Sequence, residues 1–325
     1  MVESQEFKID LKDKKILYEL DKDCRQACSE IGKKVGLSSE VVNYRIKRLE
    51  DEKIITQYQL AIDLSKLGII QFKVLLSFQK MDSHKLSSLV MKLEKNKNVK
   101  WIISCKGNWD MAVAGEGKTI EEINSVKNEI LSAFGNYILN KSVSICTGGE
   151  VYNRDYLVSE KANPNRTRIL VSNLPKAELD ELDMKILLEL SENAIIPIVN
   201  IAYKLKESER VVNYRIRQLI KRKIIIGFRI ALDYEKVGIK FYKTFVYLEN
   251  PQVERIKDLL NYLRNQKNII HNLQVVGNWD LEPEFEVYSE KEFDSILQDM
   301  KDKFSDIIKK IDILTISREH KFVYL

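Results

Sequence analysis

Cysteine, proline, glycine and histidine are all scarce in this chain of 325 residues, at 4, 5, 12 and 3. Four cysteines in so long a chain exclude a disulfide scaffold, and Cys24 and Cys28 at helical spacing with Cys105 and Cys146 apart are expected to be reduced thiols. Structural zinc needs about four clustered nitrogen or sulfur ligands, whereas His84, His271 and His320 are scattered, so no metal site and no cofactor is expected. The low glycine and proline content excludes collagen-like and low-complexity proteins. No apolar run approaches the roughly 18 residues of a membrane span, and the first ten residues lack the basic-then-apolar order of a signal peptide. A cytoplasmic protein without a membrane partner is expected. Charge is nearly balanced, 53 basic against 48 acidic residues, and a net +5 does not by itself mark a nucleic-acid binder. Hydrophobic content of 44% argues for folded domains, two to four of them at roughly 100–200 residues each.

The chain repeats itself at an offset of 170. Asp13–Leu20 matches Asp183–Leu190, and Val41-Val42-Asn43-Tyr44-Arg45-Ile46 recurs unchanged as Val211-Val212-Asn213-Tyr214-Arg215-Ile216. The register holds to Gly107-Asn108-Trp109-Asp110 and Gly277-Asn278-Trp279-Asp280. Identities of six and four residues at one offset identify two copies of a single unit. The segment 153–178, with Asn163-Pro164-Asn165 and no clear period, reads as a linker.

Each copy divides by its hydrophobic period. Ile16, Leu17 and Leu20, then Ile31 and Val35, then Val42, Ile46 and Leu49 follow helical spacing. Gly36-Leu37-Ser38-Ser39 supplies a stop for the second helix and a serine cap for the third, the punctuation of a helix-turn-helix. A β-branched run at 54–62 leads out of the helices. Then come strand 70–78, helix 84–96, strands 99–106 and 110–115, helix 119–133 and strand 140–146, repeated at 240–248, 252–265, 269–276, 280–287, 289–304 and 308–317. This is an α+β chain: two winged helix-turn-helix modules, each followed by a ferredoxin-like β-α-β-β-α-β domain. The expected divisions are 1–63 and 179–233 for the helix-turn-helix modules, 64–152 and 234–325 for the ferredoxin-like domains, and 153–178 for the linker. An antiparallel sheet with both helices on one face needs a partner for the other, so the two sheets are expected to pack together as a covalent pseudo-dimer. The competing arrangement exchanges the domains between two chains, and either unit can associate further.

Asp-x-Lys-Ile-Leu in the first helix, Val-x-x-Arg-Ile-x-x-Leu in the third, Lys-Ile-Ile entering the strand and Gly-Asn-Trp-Asp together resemble the leucine-responsive regulatory protein/AsnC family of transcription regulators, over almost the whole chain and twice. The resemblance implies a helical module that binds double-stranded DNA, and a second domain that pairs through its sheets and often holds an amino acid near the Gly-x-x-Asp turn. Two departures stand out. Lys53 and Lys223 replace the glycine before Ile-Ile, and the second turn reads Lys206-Glu207-Ser208-Glu209 without glycine or leucine.

Counting 100° per residue, Val42, Ile46, Leu49 and Lys53 form the packed stripe of the third helix. The opposite side carries Glu40, Val41, Tyr44, Lys47, Arg48 and Asp51, and in copy two Arg210, Val211, Tyr214, Arg217, Gln218 and Lys221. Over 34–59 five basic residues face four acidic ones, and over 204–229 nine face two, so on charge copy two is the stronger binder. The expected DNA-contacting set is Ser39, Tyr44, Arg45, Lys47 and Arg48 with Arg210, Tyr214, Arg215, Arg217, Lys221 and Arg222. Within it Arg45 and Arg215 suit pairing with a carboxylate or phosphate, and the tyrosines either stack or pack at the module's edge. A charged helix face is ordinarily just solvated; the surrounding helix-turn-helix favours the DNA reading.

The turns Gly107, Asn108, Trp109, Asp110 and Gly277, Asn278, Trp279, Asp280 are either tight strand connections or the frame of a pocket for a small amino-acid-like effector. Asp280, Glu282, Glu284 and Glu286 line one strand face, where copy one has Asp110, Ala112, Ala114 and Glu116; so many acids must meet cations, most simply basic neighbours. Pro283 within them suggests an edge strand or a bulge. No Ser/His/Asp set, phosphate-cradling glycine loop or Cys-x-x-Cys pair is present, and the chain is not expected to be an enzyme. The alternative is a siroheme decarboxylase-like enzyme, whose architecture is similar and whose His-Asn stretch Ile270-His271-Asn272 resembles; the basic residues that should follow are replaced by Gln274, Val275 and Val276.

Overall fold

A computed structural model describes residues 9–172, 175–323 and 325. The first copy runs α1 (Leu11–Lys22), α2 (Cys28–Val35), α3 (Ser39–Asp51), β1 (Ile55–Ile62), β2 (Ile70–Phe78), α4 (Ser83–Glu94), β3 (Val99–Gly107), β4 (Met111–Gly117), α5 (Ile120–Phe134) and β5 (Ile138–Tyr152), and β6 (Thr167–Val171) follows. The second runs α6 (Glu181–Glu192), α7 (Ile198–Leu205), α8 (Glu209–Lys221), β7 (Ile225–Leu232), α9 (Tyr234–Val237), β8 (Lys240–Leu248), α10 (Val253–Arg264), β9 (Ile269–Val276), β10 (Leu281–Val287), α11 (Glu290–Lys303) and β11 (Ile308–Phe322). None of the described helices is long and apolar enough to cross a membrane.

Local chemistry sets the helical modules. Asp10 and Asp180 cap α1 and α6 by accepting from the amides of Asp13 and Asp183, and Ser38 and Ser208 cap α3 and α8 through Val41 and Val211. Gly36 ends α2 in the left-handed region at φ +68°. In copy two Lys206 adopts the same conformation at φ +57°, so the turn without glycine has the geometry of the turn with it. Lys53 and Lys223 are left-handed as well, at φ +57° and +56°. Lys53 therefore lies beyond α3 in an exposed turn and is no part of the packed stripe.

The two modules are tied by a ribbon. β1 pairs antiparallel with β7, and Gln59 stands opposite Arg229, its own equivalent in the repeat, which puts a pseudo-two-fold axis through that pair. The ends close alike: Asp63 N donates to Ile224 O and Asp233 N to Ile54 O, both at 2.9 Å. Both modules share one apolar core, in which Ile16, Leu17, Val42 and Leu49 pack with Ile186, Leu187, Val212 and Leu219.

The ferredoxin-like sheets have the orders β5-β2-β4-β3 and β11-β8-β10-β9. Their free edges meet: β3 pairs with β11 and β5 with β9, closing an eight-stranded ring within the chain. The joints obey the same axis, Lys106 facing Thr315 and Val276 facing Ile145. Helices α4 and α5 cover one outer wall, α10 and α11 the other, while Leu75, Ile103 and Ala112 meet Phe245, Leu273 and Val275 inside. This is the pseudo-dimer anticipated above, with edges as well as faces joined.

The segment 153–178 carries structure of its own: β6 adds to the outer edge of β5, and buried Arg166 donates to the carbonyls of Asn153 (2.7 Å) and Ile269 (2.6 Å). Of the two readings of Pro283 the edge does not hold, since β10 lies between β8 and β9, and the bulge does, the register with β9 shifting at Glu284/Phe285.

Glycine is required where the ring is tightest. At Gly107, φ is +131° and an added Cβ would stand 2.7 Å from Ile313 O of β11. Gly107→Ala should lower the denaturation midpoint by an amount equivalent to about 1–3 kcal/mol, as overpacking does; a Gly238→Ala control, left-handed at φ +73° with open space around it, should lose less.

Candidate functional site

The third helices present their faces to solvent. Val42 and Leu49 are fully buried, Tyr44 and Tyr214 are 64% and 60% exposed, and Lys47, Arg210, Arg217 and Lys221 are exposed. Ser39 is the first residue of α3, not its cap, which is Ser38. The expected set splits. Arg45 donates to Asp10 (2.8 Å) and Asp13 (2.7 Å), and Arg48 to both oxygens of Asp13 (3.0 and 2.8 Å). Arg215 reaches Asp180 (2.7 Å), and Arg222 donates to Glu178 O and lies 3.9 Å from Asp183. Arg45 and Arg215 thus pair with carboxylates, as their place beside the packed stripe suggested; Arg48, expected on the exposed face, turns to Asp13 instead, and Arg222, though exposed, is tied to the segment before α6. The hydrogen bonds to Asp10 and Asp13 raise the Arg45 pKa further, so the pairing persists at any ordinary pH.

Arg229, counted with the basic residues of copy two, is also removed: it is buried on Asp21 at 2.9 Å. Lys34 and Lys204 are exposed but paired with Glu19 and Glu189, and Arg222 is held as above; the remaining exposed charges are Lys47 and Lys53 with Glu40, Asp51 and Glu52, and Lys206, Arg210, Arg217, Lys221 and Lys223 with Glu207 and Glu209. The inequality between the modules survives the correction, and the first module's face is slightly acidic.

The Gly-Asn-Trp-Asp turns are put to structural use. Asp110 accepts from the Phe78 amide and Asp280 from the Leu248 amide, both at 2.7 Å. Trp279 is buried against Phe245 with centroids 4.3 Å apart, and its Nε1 donates to Glu282 at 2.9 Å. Asn278 donates to Ser142 Oγ, and Gly277 lets β5 pass, since a Cβ there would lie 2.9 Å from Ser144 Cβ. Asp110 and Asp280 thus tie each turn to the end of β2 or β8, and Trp279 packs inside the ring.

The acidic strand turns inward and meets basic neighbours. Lys243 bridges Glu282 (2.8 Å) and Glu284 (2.7 Å), Lys73 of the first copy pairs with Glu282, and His271 Nδ1 lies 3.1 Å from Glu284. Glu286 receives Arg154 Nε (2.8 Å) and the Tyr156 hydroxyl, and Arg154 also reaches Asp21 of α1 (2.6 Å). Burial alone would raise the Glu282 carboxyl, but Lys243 and then Lys73 hold it at about 2. Glu284 is driven below the usual range the same way: burial opposes, and Lys243 and His271 prevail. Burial outweighs Glu284 at His271 and lowers its pKa, keeping the ring neutral. Lys73 and Lys243 carried the missed signal, a lysine at the same position of an otherwise apolar strand in both copies.

Between ribbon and ring lies a cavity of about 90 Å³ whose walls include Lys73, Trp101, Arg229, Tyr234, His271 and Glu319. No cluster of three or more metal-ligating side chains occurs among the described residues.

A depressed carboxyl stabilises the fold above its unfolded pKa, and that contribution is lost as pH falls toward the folded value. For Glu282 the window is pH 4.5 down to about 2. Glu282→Ala should cost about 3–5 kcal/mol at pH 7 by leaving Lys73 and Lys243 buried with one carboxylate too few. It should also flatten stability against pH in that window, as read from denaturant midpoints.

Residues 9–56 match the family model described as winged helix-turn-helix DNA-binding, and residues 179–220 the AsnC-type helix-turn-helix domain. The transcriptional regulator FL11 of Pyrococcus furiosus is 30% identical over 125 residues, 38% of this chain and 80% of that protein. LrpC of Bacillus subtilis is 44% identical over 62 residues, 19% of this chain and 43% of its own. Among solved structures the siroheme decarboxylase NirDL superposes with TM-score 0.60 over 97% of this chain and 93% of its own; at 15% identity this is likeness of fold, for the entire tandem arrangement. Two helix-turn-helix modules of this type, each leading through a strand into a ferredoxin-like domain, and the match to FL11 place the chain in the Lrp/AsnC family, in a tandem duplicated form.

Proposed function

We propose that the chain is a transcription regulator that binds double-stranded DNA through α3 and α8, with unequal contributions, and so favours an asymmetric or weakly specific site. The observation that carries this is the rigid joining of two exposed third helices whose surfaces differ in charge. Binding energy to duplex DNA comes chiefly from neutralised phosphates, and base edges are read by the few side chains that enter the major groove. Arg210, Arg217 and Lys221 on α8 and Lys47 on α3 are the cations free for that work, since Arg45, Arg48, Arg215 and Arg222 are engaged within their modules. The exposed Tyr44 and Tyr214 are available to stack or to reach phosphate. Where dimeric relatives would present two identical helices to a palindrome, a fused pair presents two different ones.

The enzyme alternative gains a neighbour of the same fold in NirDL. Against it, the cavity beside His271 is about 90 Å³, where pockets for drug-sized molecules run to roughly 300–1,000 Å³. A tetrapyrrole would have to part the ribbon from the ring.

Selection of bound duplexes from a random pool tests binding, specificity and site symmetry together. If charge governs, Arg210→Glu weakens binding by about 1–3 kcal/mol and lowers the salt dependence by about one to two phosphate contacts. Glu40→Arg strengthens binding by a comparable amount. The reverse ranking in a salt-resolved mobility-shift titration would refute the assignment of the second module as dominant.

A further inference from the structure

The cavity lies on the pseudo-two-fold axis, because its wall contains both members of the equivalent pairs Gln59/Arg229, Trp101/His271 and Ala114/Glu284. In a dimer of identical units the two members would be alike. Here each pair differs, so the duplication has made one asymmetric site where a dimer would have a symmetric one.

Access is one-sided for the same reason. On the first copy's side β6 covers the outer edge of β5 over Gly149–Tyr152, and Arg154 and Leu170 close the wall. The equivalent stretch of β11, Glu319–Phe322, pairs with β3 but has no strand on its other edge. Tyr234, Phe241, Glu319 and Phe322 line both the cavity and a groove at the surface. The missing strand is the doorway.

The polar groups fix the chemistry of an occupant. Lys73 is matched by Glu282, Lys100 by Glu116, Arg154 by Asp21 and Glu286, and Arg229 by Asp21. Glu284 is matched by Lys243. Glu319 is different: no cation lies within ion-pair distance of it among the described residues, and only Trp101 Nε1 donates to it, at 2.9 Å. Glu319 stands on the exposed edge of β11, and the protein packed about its carboxyl raises its pKa. Glu284 lies 3.1 Å from His271 Nδ1 without the alignment of a hydrogen bond, and a carboxylate there favours the tautomer with its proton on Nδ1 and Nε2 as an acceptor. A wall with one unmatched carboxylate, one imidazole lone pair and the rings of Trp101, Tyr234 and Phe241 asks for a cation with N–H donors and a small apolar body.

We propose that this cavity binds one small organic ammonium ion per chain, its N–H groups donating to Glu319 and His271 and its apolar part lying against Trp101, Tyr234 and Phe241. The cavity is small, about 90 Å³, which suits a compact amine. The ribbon residues Gln59, Ile230 and Ala231 form one wall, so an occupant would brace the element that sets the two modules relative to each other. This names an effector class for the regulator proposed above and depends on that reading only for its consequence on DNA.

Calorimetric titration of the full chain with isobutylamine, isobutanol and isobutyrate is the test. The amine should bind once per chain, the alcohol and the acid at least tenfold more weakly, and Glu319→Gln should weaken the amine at least tenfold while its thermal unfolding matches that of the unmodified chain. Equal binding of amine and alcohol, preference for the acid, absence of binding by all three, or an unaffected Glu319→Gln variant would each overturn the site. Repeating the DNA titration with amine present separates the two ideas: amine binding without any DNA binding upholds the cavity and removes the regulator.

Discussion

Everything in this molecule follows from the need of two open sheets to satisfy their edges. A four-stranded ferredoxin-like sheet leaves β3 and β5 with unpaired amides and carbonyls, and exposed edges of that kind recruit other strands. Here β11 and β9 supply the partners, from a unit descended from the same sequence, so both joints form at once about a single axis. The axis continues through the β1/β7 ribbon, so ring closure also dictates how the helix-turn-helix modules face each other. Covalent linkage makes that closure intramolecular, and the separation of the modules does not depend on protein concentration.

Duplication allowed the halves to diverge where an assembly of identical subunits would have required compromise. In an assembly of identical subunits every charge near the two-fold meets its own copy. Glu282, Glu284 and Glu286 would face a second set of carboxylates; here their equivalents are Ala112, Ala114 and Glu116, and Lys73 of the first copy reaches across to Glu282. A pair of second copies would bury too many acids, and a pair of first copies would leave Lys73 without an anion. The buried network therefore selects the unlike pairing, at an electrostatic cost that an apolar interior would avoid. Arg154 extends the same device beyond the ring, because one guanidinium holds Asp21 of the first DNA-binding module and Glu286 of the second sheet.

Much of this was legible in the sequence because helices and strands declare their period locally and the repeat let each copy check the other. The strand at 240–248 and the helix-turn-helix punctuation at Ser38 and Ser208 are determined by neighbours within a few residues. What was not legible depends on partners distant in the chain. β6 has no period of its own to distinguish it from a loop, and it becomes a strand only because the edge of β5 beyond β2 is vacant. β5 and β11 run to Tyr152 and Phe322, past the expected ends, because the other copy's edge extends their pairing. Arg48 was placed on the exposed side of α3 by counting angles, but a long side chain can curl back to a carboxylate on a neighbouring helix, and Asp13 of α1 draws it there. Charge totals over a segment were therefore a poorer guide than charges counted after internal pairs are removed.

The left-handed lysines show how far such a fold tolerates sequence drift. Lys53, Lys206 and Lys223 occupy conformations in which a side chain costs roughly 1–2 kcal/mol relative to a helical residue, and glycine would relieve most of that. Each sits at the end of α3, α7 or α8, beside the surface assigned to DNA, where a cation is worth more than the backbone strain it brings if phosphate is the partner. Such strain is also kept at Lys80 in the turn after β2, while glycine is retained at Gly107, where no Cβ would fit. On that account Lys223→Gly should raise stability by up to about 1 kcal/mol and weaken DNA binding in the same protein, a divergence that chemical denaturation and mobility shift measure side by side. A change of both in one direction would show that the lysine is merely tolerated.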